Sequence, residues 1–97
     1  METALRALSN PGRRRILTLV RDEENSAGEI AAEFTVSWPA VSQHLRVLKD
    51  AGLVTERREG TRRFYRARPE GLDDVRAFLD EFWDDKLKNL KREVERG

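Results

Sequence analysis

The chain of 97 residues predicts a mostly α fold with one small β-hairpin, in the order ααααββα. Three observations carry that reading. Apolar residues recur at spacings of three and four up to Ala51. The period then switches toward two between Leu53 and Ala67. From Pro69 the three-and-four spacing returns and holds for about 25 residues, or about 38 Å of helix. Glycine and proline fall at the junctions.

A first short helix fits Glu2 to Leu8, with Leu5 and Leu8 on one face. Asn10-Pro11 reads as an N-cap followed by proline at the first helical position. The helix it opens is expected to reach about Arg21, with Ile16, Leu17, Leu19 and Val20 as its apolar stripe. Asp22 to Asn25 reads as a polar turn. Ser26 caps a third helix and Glu29 completes a capping box; that helix is expected to end near Phe34, with Ile30, Ala31 and Phe34 facing inward. Ser37 is the next N-cap, with Pro39 just inside. Val41, Leu45 and Leu48 place one face of this helix, about 38–51, in the core. Gly52 ends it, where a left-handed conformation suits glycine.

Two strands follow, anchored by Leu53 and Val54 in the first and by Phe64 and Tyr65 in the second. Glu59-Gly60-Thr61 forms the tip between them. Alternation is expected to send Arg58 and Arg62 toward different partners from Arg57 and Arg63. Two short helices joined by a tight turn, the second followed by a basic hairpin over about 53–67, make a helix-turn-helix with a wing. The last helix, about 69–94, carries Leu72, Val75, Phe78, Leu79, Phe82, Trp83, Leu87, Leu90 and Val94 as a continuous apolar face. One domain of this size has no need of so long a face, so a dimer through the terminal helices is expected. Leu5, Leu8, Phe78, Phe82, Trp83, Leu87 and Leu90 are the candidate contacts, with the large aromatics as anchors.

Length and composition bound the rest. Residues 1–97 suffice for a single domain that buries roughly 60–70% of its unfolded surface. The absence of cysteine excludes disulfides, thiolate metal sites and a cysteine nucleophile, and a single histidine excludes a multi-histidine site within one chain. No residue set points to catalysis, so no enzymatic activity and no cofactor are expected. No apolar run approaches a membrane span and no signal-peptide pattern opens the chain, so a cytoplasmic home is expected. Net charge is only +1, but it is unevenly spread. Ser37 to Arg68 holds eight basic and three acidic residues, whereas Pro69 to Gly97 holds six basic and nine acidic. The basic middle invites a polyanion.

Several segments resemble the ArsR/SmtB family of bacterial repressors. Leu8 to Leu17 is similar to that family's L-x-[DN]-P-x-R-x-x-I-L opening, and Ser26 to Ala31 to its helix before the turn. Ser37 to Val54 resembles its recognition helix and exit, and Arg57 to Arg66 its wing. The likeness spans roughly residues 5 to 85. It implies a homodimeric winged helix-turn-helix transcription factor that binds an inverted repeat in double-stranded DNA and acts as a repressor. Many members release DNA on binding a metal. Here Ser26 and Gly28 stand where one family site has cysteines, and no histidine follows His44. The chain therefore resembles the metal-independent branch, with no metal site expected and its effector unknown. Acidic clusters such as Asp73-Asp74 and Asp84-Asp85 read as solvated faces.

Within this frame the candidate DNA-binding residues are Ser37, Trp38, Ala40, Ser42, Gln43, His44 and Arg46 on the helix, with Arg58, Thr61 and Arg62 on the wing. Gln43 suits an adenine edge, and Arg46 suits guanine or a phosphate. Arginines at a wing tip suit the negative potential of a narrow minor groove. Trp38 is open between DNA contact and packing inward, and His44 between a phosphate contact and a half-buried structural role. Arg13, Arg14 and Arg15 oppose the dipole of the helix they open; an acidic partner on another helix and a phosphate are both open for them. The alternative function is a winged-helix module that binds a protein or RNA.

Overall fold

The computed structural model describes residues 1–83. Helix α1 spans Glu2–Leu8, α2 Pro11–Leu19, α3 Ala27–Ala32 and α4 Trp38–Asp50. Each of the last three starts at a side-chain cap. Asn10 Oδ1 accepts from the Arg13 amide at 3.2 Å. Ser26 Oγ accepts from the Glu29 amide at 3.1 Å while Glu29 accepts from the Ser26 amide at 3.2 Å, completing the capping box. Ser37 Oγ accepts from the Ala40 amide at 3.4 Å, and Pro39 follows inside the first turn. These caps satisfy amides that a helix leaves without intrahelical partners.

Two helices stop earlier than the sequence suggests, and hydrogen bonding explains both. The last carbonyls of α2 are taken by other groups: Leu19 accepts from Asn25 Nδ2 at 2.8 Å and Val20 from the Ala67 amide at 2.9 Å. Helix α3 closes with the tight bonds Glu33 to Ile30 and Phe34 to Ala31, both 3.1 Å. At the end of α4, Gly52 takes a φ of +74°. That left-handed turn sends Leu53 into the core.

The sheet has three strands rather than two. β1 (Asn25–Ser26) pairs antiparallel with β3 (Arg62–Ala67), which pairs in turn with β2 (Val54–Glu59), giving the order β1-β3-β2. The expected polar turn therefore ends in a strand. The register Arg57 opposite Phe64 and Arg58 opposite Arg63 fixes the two faces of the wing. Arg57 and Arg62 share the Phe64 face, while Arg58 and Arg63 share the Tyr65 face. This corrects the expected grouping of the arginines. It also separates the two aromatics: Tyr65 is buried and Phe64 only half-buried.

The core gathers Ile16 and Val20 of the α2 end, Ile30, the α4 face Val41, Leu45 and Leu48, and Leu53, Val54 and Tyr65 from the sheet. Ala4 and Ala7 admit α1 to it closely. Six of these side chains, including Ile16, Ile30 and Leu48, are essentially inaccessible. Burial of each is worth about 1.5–3 kcal/mol, so this cluster holds α4 at a fixed height above the sheet. The segment opened by Pro69 begins as a 3-10 turn over Pro69–Leu72 and continues as α5 over 73–83. Val75 of α5 reaches the core. Leu87 and Leu90 lie outside the described residues.

Candidate nucleic-acid interface

Helix α4 divides cleanly into two faces. Val41, Leu45 and Leu48 are buried, so geometry leaves Ser42, Gln43 and Arg46 pointing outward, and all three are exposed. Ser37 is exposed but its hydroxyl serves as the cap. Ala40 is half-buried. Trp38 is 52% exposed at the first position of the helix, so its ring stays outside the core. Among the described residues, Ser42, Gln43 and Arg46 have no side-chain hydrogen bond or ion pair, which leaves their polar groups available to a ligand.

The wing comes up against this face. A concavity of about 450 Å³ is lined by Trp38 and Ser42 of α4, by Thr61, Arg62 and Arg63 of the wing, and by the start of α3. A second, of about 690 Å³, runs on the other side along Gln43, Arg46, Lys49, Arg58 and Arg63. Trp38, Ser42, Leu45, Arg63 and Tyr65 line both and join them. The structure thus brings Trp38, Ser42, Gln43 and Arg46 together with Arg58, Thr61 and Arg62 on one surface.

His44 lies elsewhere. Its half-buried ring faces α2, with Nδ1 3.4 Å from Arg13 Nη1. Burial and then the Arg13 charge lower its pKa, which favours the neutral imidazole. Arg13 in turn donates to the carbonyls of Ala7 at 2.7 Å and Arg6 at 3.2 Å. Arg14 donates to Leu8 at 2.7 Å. The basic start of α2 is thereby accounted for: it caps the electronegative end of α1. Arg15 meets the acidic partner left open above, reaching Glu33 at 3.8 Å and lying over Phe34 at 5.0 Å.

The wing arginines are held by acids whose role the sequence does not announce. Arg57 donates to Glu24 at 2.6 and 3.1 Å and to Glu59 at 3.0 Å, and stacks on Phe64 at 4.6 Å. Its hydrogen bond lowers the Glu24 pKa. Arg62 covers the other part of Phe64 at 5.0 Å and reaches Glu29 at 4.0 Å. Glu29 is kept ionised first by the Ser26 hydroxyl and amide. On the opposite face Glu56 accepts from the Tyr65 hydroxyl at 2.8 Å and meets Arg58 at 3.4 Å and Lys49 at 3.6 Å. Alternate spacing from the wing arginines is a sequence signal for Glu56 beside Arg58 and Glu59 beside Arg57, and gives none for Glu24 or Glu29.

The candidate dimer residues divide. Leu8 is half-buried against the core of its own chain. Leu5, Phe78, Phe82 and Trp83 are exposed, as is Leu79 beside them. Phe82 and Trp83 meet edge to face with centroids 5.8 Å apart.

Comparison with known proteins bears on this geometry. Residues 10–56 match the model of the bacterial regulatory protein, arsR family. The chain is 46% identical to the HTH-type transcriptional regulator Rv2034 of Mycobacterium tuberculosis, over 84% of this chain and 77% of that one. It is 36% identical to the transcriptional repressor SdpR of Bacillus subtilis, over 76% and 82% respectively. The chain belongs to the ArsR family. Among solved structures, this ArsR-family chain resembles a possible transcriptional regulator for arsenical resistance at 46% identity and TM-score 0.74, covering 89% and 90% of the two chains. It also resembles the homodimeric winged helix-turn-helix DNA-binding domain of Mb0332 from Mycobacterium bovis, at 33% identity and TM-score 0.67, over 87% of this chain and 78% of that one. The ArsR family is one of transcriptional regulators and not of enzymes. Among the described residues, no group of three or more histidines and carboxylates is placed to hold a metal ion. No described helix is long and apolar enough to cross a membrane.

Proposed function

We propose that this single winged helix-turn-helix domain binds double-stranded DNA sequence-specifically, as a homodimer on an inverted repeat, and acts as a repressor without a soft-metal sensor. One observation carries the reading. Gln43 and Arg46 stand exposed and unengaged on α4, beside the basic wing, while the reverse face of the same helix is locked in the core. A helix so mounted enters a major groove with its side chains already oriented, and Gln43 and Arg46 have the chemistry to read base edges. Arg58, Thr61 and Arg62 would then reach the flanking minor groove or its phosphates, with Trp38, Ala40 and Ser42 at the helix start. Ser37 contributes by fixing that start, and His44 by bracing α4 against α2.

The homodimeric Mb0332 domain and the repressor SdpR support the assembly and the direction of regulation. In a two-fold dimer the recognition helices lie about 34 Å apart, one DNA turn. Ser26 and Gly28 at the cysteine positions support the absence of a thiolate metal sensor. The test is fluorescence anisotropy with a labelled duplex from the DNA upstream of the chain's own gene, against a scrambled duplex, at two salt concentrations. Preference for the native duplex that weakens with salt is expected. Absence of binding at low salt would shift the function to a protein partner, and tighter binding to RNA than to duplex DNA would shift it to RNA.

A further inference from the structure

Glu56 is an oddity in a surface suited to phosphate. It lies in the 690 Å³ concavity among Gln43, Arg46, Lys49, Arg58 and Arg63, and its side chain is only 10% exposed. Burial opposes its ionisation, but the Tyr65 hydroxyl, Lys49, Arg58 and Arg63 together outweigh burial and lower its pKa. It therefore stays an anion. Its partners come from three places: Lys49 from the last turn of α4, Arg58 from β2 and Tyr65 from β3. Stability alone does not account for this convergence. Lys49 and Arg58 are 51% and 66% exposed, so water screens their side of each pair, and a second cation on the one carboxylate adds little to folding. Tyr65 would be satisfied equally well by a neutral acceptor.

We propose that Glu56 is a built-in surrogate for a DNA phosphate, which occupies Lys49 and Arg58 and so restrains non-specific binding. The inference rests on the DNA-binding reading above. Non-specific affinity comes from phosphates neutralised, and each one contributes about 0.9 to the slope of log affinity against log salt. On DNA of random sequence, a carboxylate that already engages two cations removes up to two such contacts per protomer; on the operator, Arg58 exchanges Glu56 for the flanking phosphate it is proposed above to reach. Gln43 and Arg46 are not among the partners of Glu56, so base reading is left intact.

The test uses a labelled duplex of random sequence, titrated with the full chain over a range of salt. Glu56→Gln keeps an acceptor for Tyr65 and deletes the charge. It is expected to bind about tenfold tighter at low salt, with a slope steeper by about one to two units per protomer. An unchanged slope in a folded variant would overturn the proposal. Lys49→Met, at an exposed position, provides the second reading. In the wild-type background it is expected to leave the slope unchanged, because Lys49 is already engaged. A slope shallower by about 0.9 would show Lys49 free to meet phosphate and would also overturn the proposal. If the wild-type chain binds no duplex at any salt, the DNA-binding reading fails and takes this one with it, an outcome distinct from equal slopes.

Discussion

The exposed aromatic face of α5 allows the dimer to be tested with a worked magnitude. Phe82 and Trp83 are 56% and 53% exposed in the single chain. An aromatic side chain carries about 150–250 Å² of surface, so each ring offers about 100 Å² to a partner. At about 25 cal/mol per Å², each ring is worth about 2.5 kcal/mol when covered. Two-fold symmetry counts every ring twice, so Phe82→Ala with Trp83→Ala removes at most about 10 kcal/mol from the dimer. Realising half of that, about 5 kcal/mol, weakens the dimer by three to four orders of magnitude. Sedimentation across a wide concentration range is the assay, with circular dichroism to confirm the fold. The double variant is expected to sediment as a monomer where wild type is a dimer. The two residues lie outside the core cluster, so helix content should hold. DNA affinity should fall as well, because two linked recognition helices bind better than one. A double variant with wild-type mass at every concentration would refute the assignment of this face.

Three further outcomes are expected. Gln43→Ala with Arg46→Ala should abolish preference for the native duplex while leaving the dimer intact; surviving preference would show that another surface reads the bases. Gly71→Ala should destabilise the chain by about 1–3 kcal/mol in urea unfolding, because a Cβ there meets the Gly52 carbonyl. An unchanged urea midpoint would mean the 3-10 turn yields easily. For His44 the folded chain binds a proton less readily than the unfolded one, whose pKa is near 6.5. Stability is therefore full above that value and falls as pH drops from 6.5 toward the lowered folded pKa. Comparing unfolding midpoints at about pH 7.5 and about pH 5.5 should show a loss in wild type that His44→Gln reduces; equal losses would remove His44 as the cause.

What the sequence disclosed and what it withheld divide along a physical line. Caps act within three residues, so Asn10, Ser26 and Ser37 could be read directly from their neighbours. The buried face of α4 repeats at helical spacing, so its exposed complement, Ser42, Gln43 and Arg46, followed. β1 has only two residues, too few for any period to show. Adjacent Phe64 and Tyr65 both looked like anchors, and the strand could bury just one of them. His44 beside Arg13, Glu24 beside Arg57 and Glu29 beside Arg62 come from distant segments, so these contacts depend on how the elements assemble. Glu24 and Glu56 were hidden for the same reason, a carboxylate in a charged stretch looking solvated until its cation arrives from elsewhere, and Glu29 showed its capping role but not its pairing with Arg62.

The short β1 pairing has a consequence for the order of assembly. It joins Asn25 to Tyr65, about 40 residues along the chain, and so encloses α3, α4 and the β2–β3 hairpin in one closed loop. Closing a flexible loop of that length costs about 3 kcal/mol beyond a constant. Two bridged residue pairs are a small return on that cost, whereas the hairpin closes over Gly60 within its own few residues. β1 should therefore dock late, once α3 and α4 have packed and shortened the gap to be spanned. In the folded chain the same seam is the natural first place to part. Its opening would release the wing from α3 with the hairpin still intact, and faster amide exchange at Asn25 and Tyr65, which face each other across the seam, than within β2 would record it.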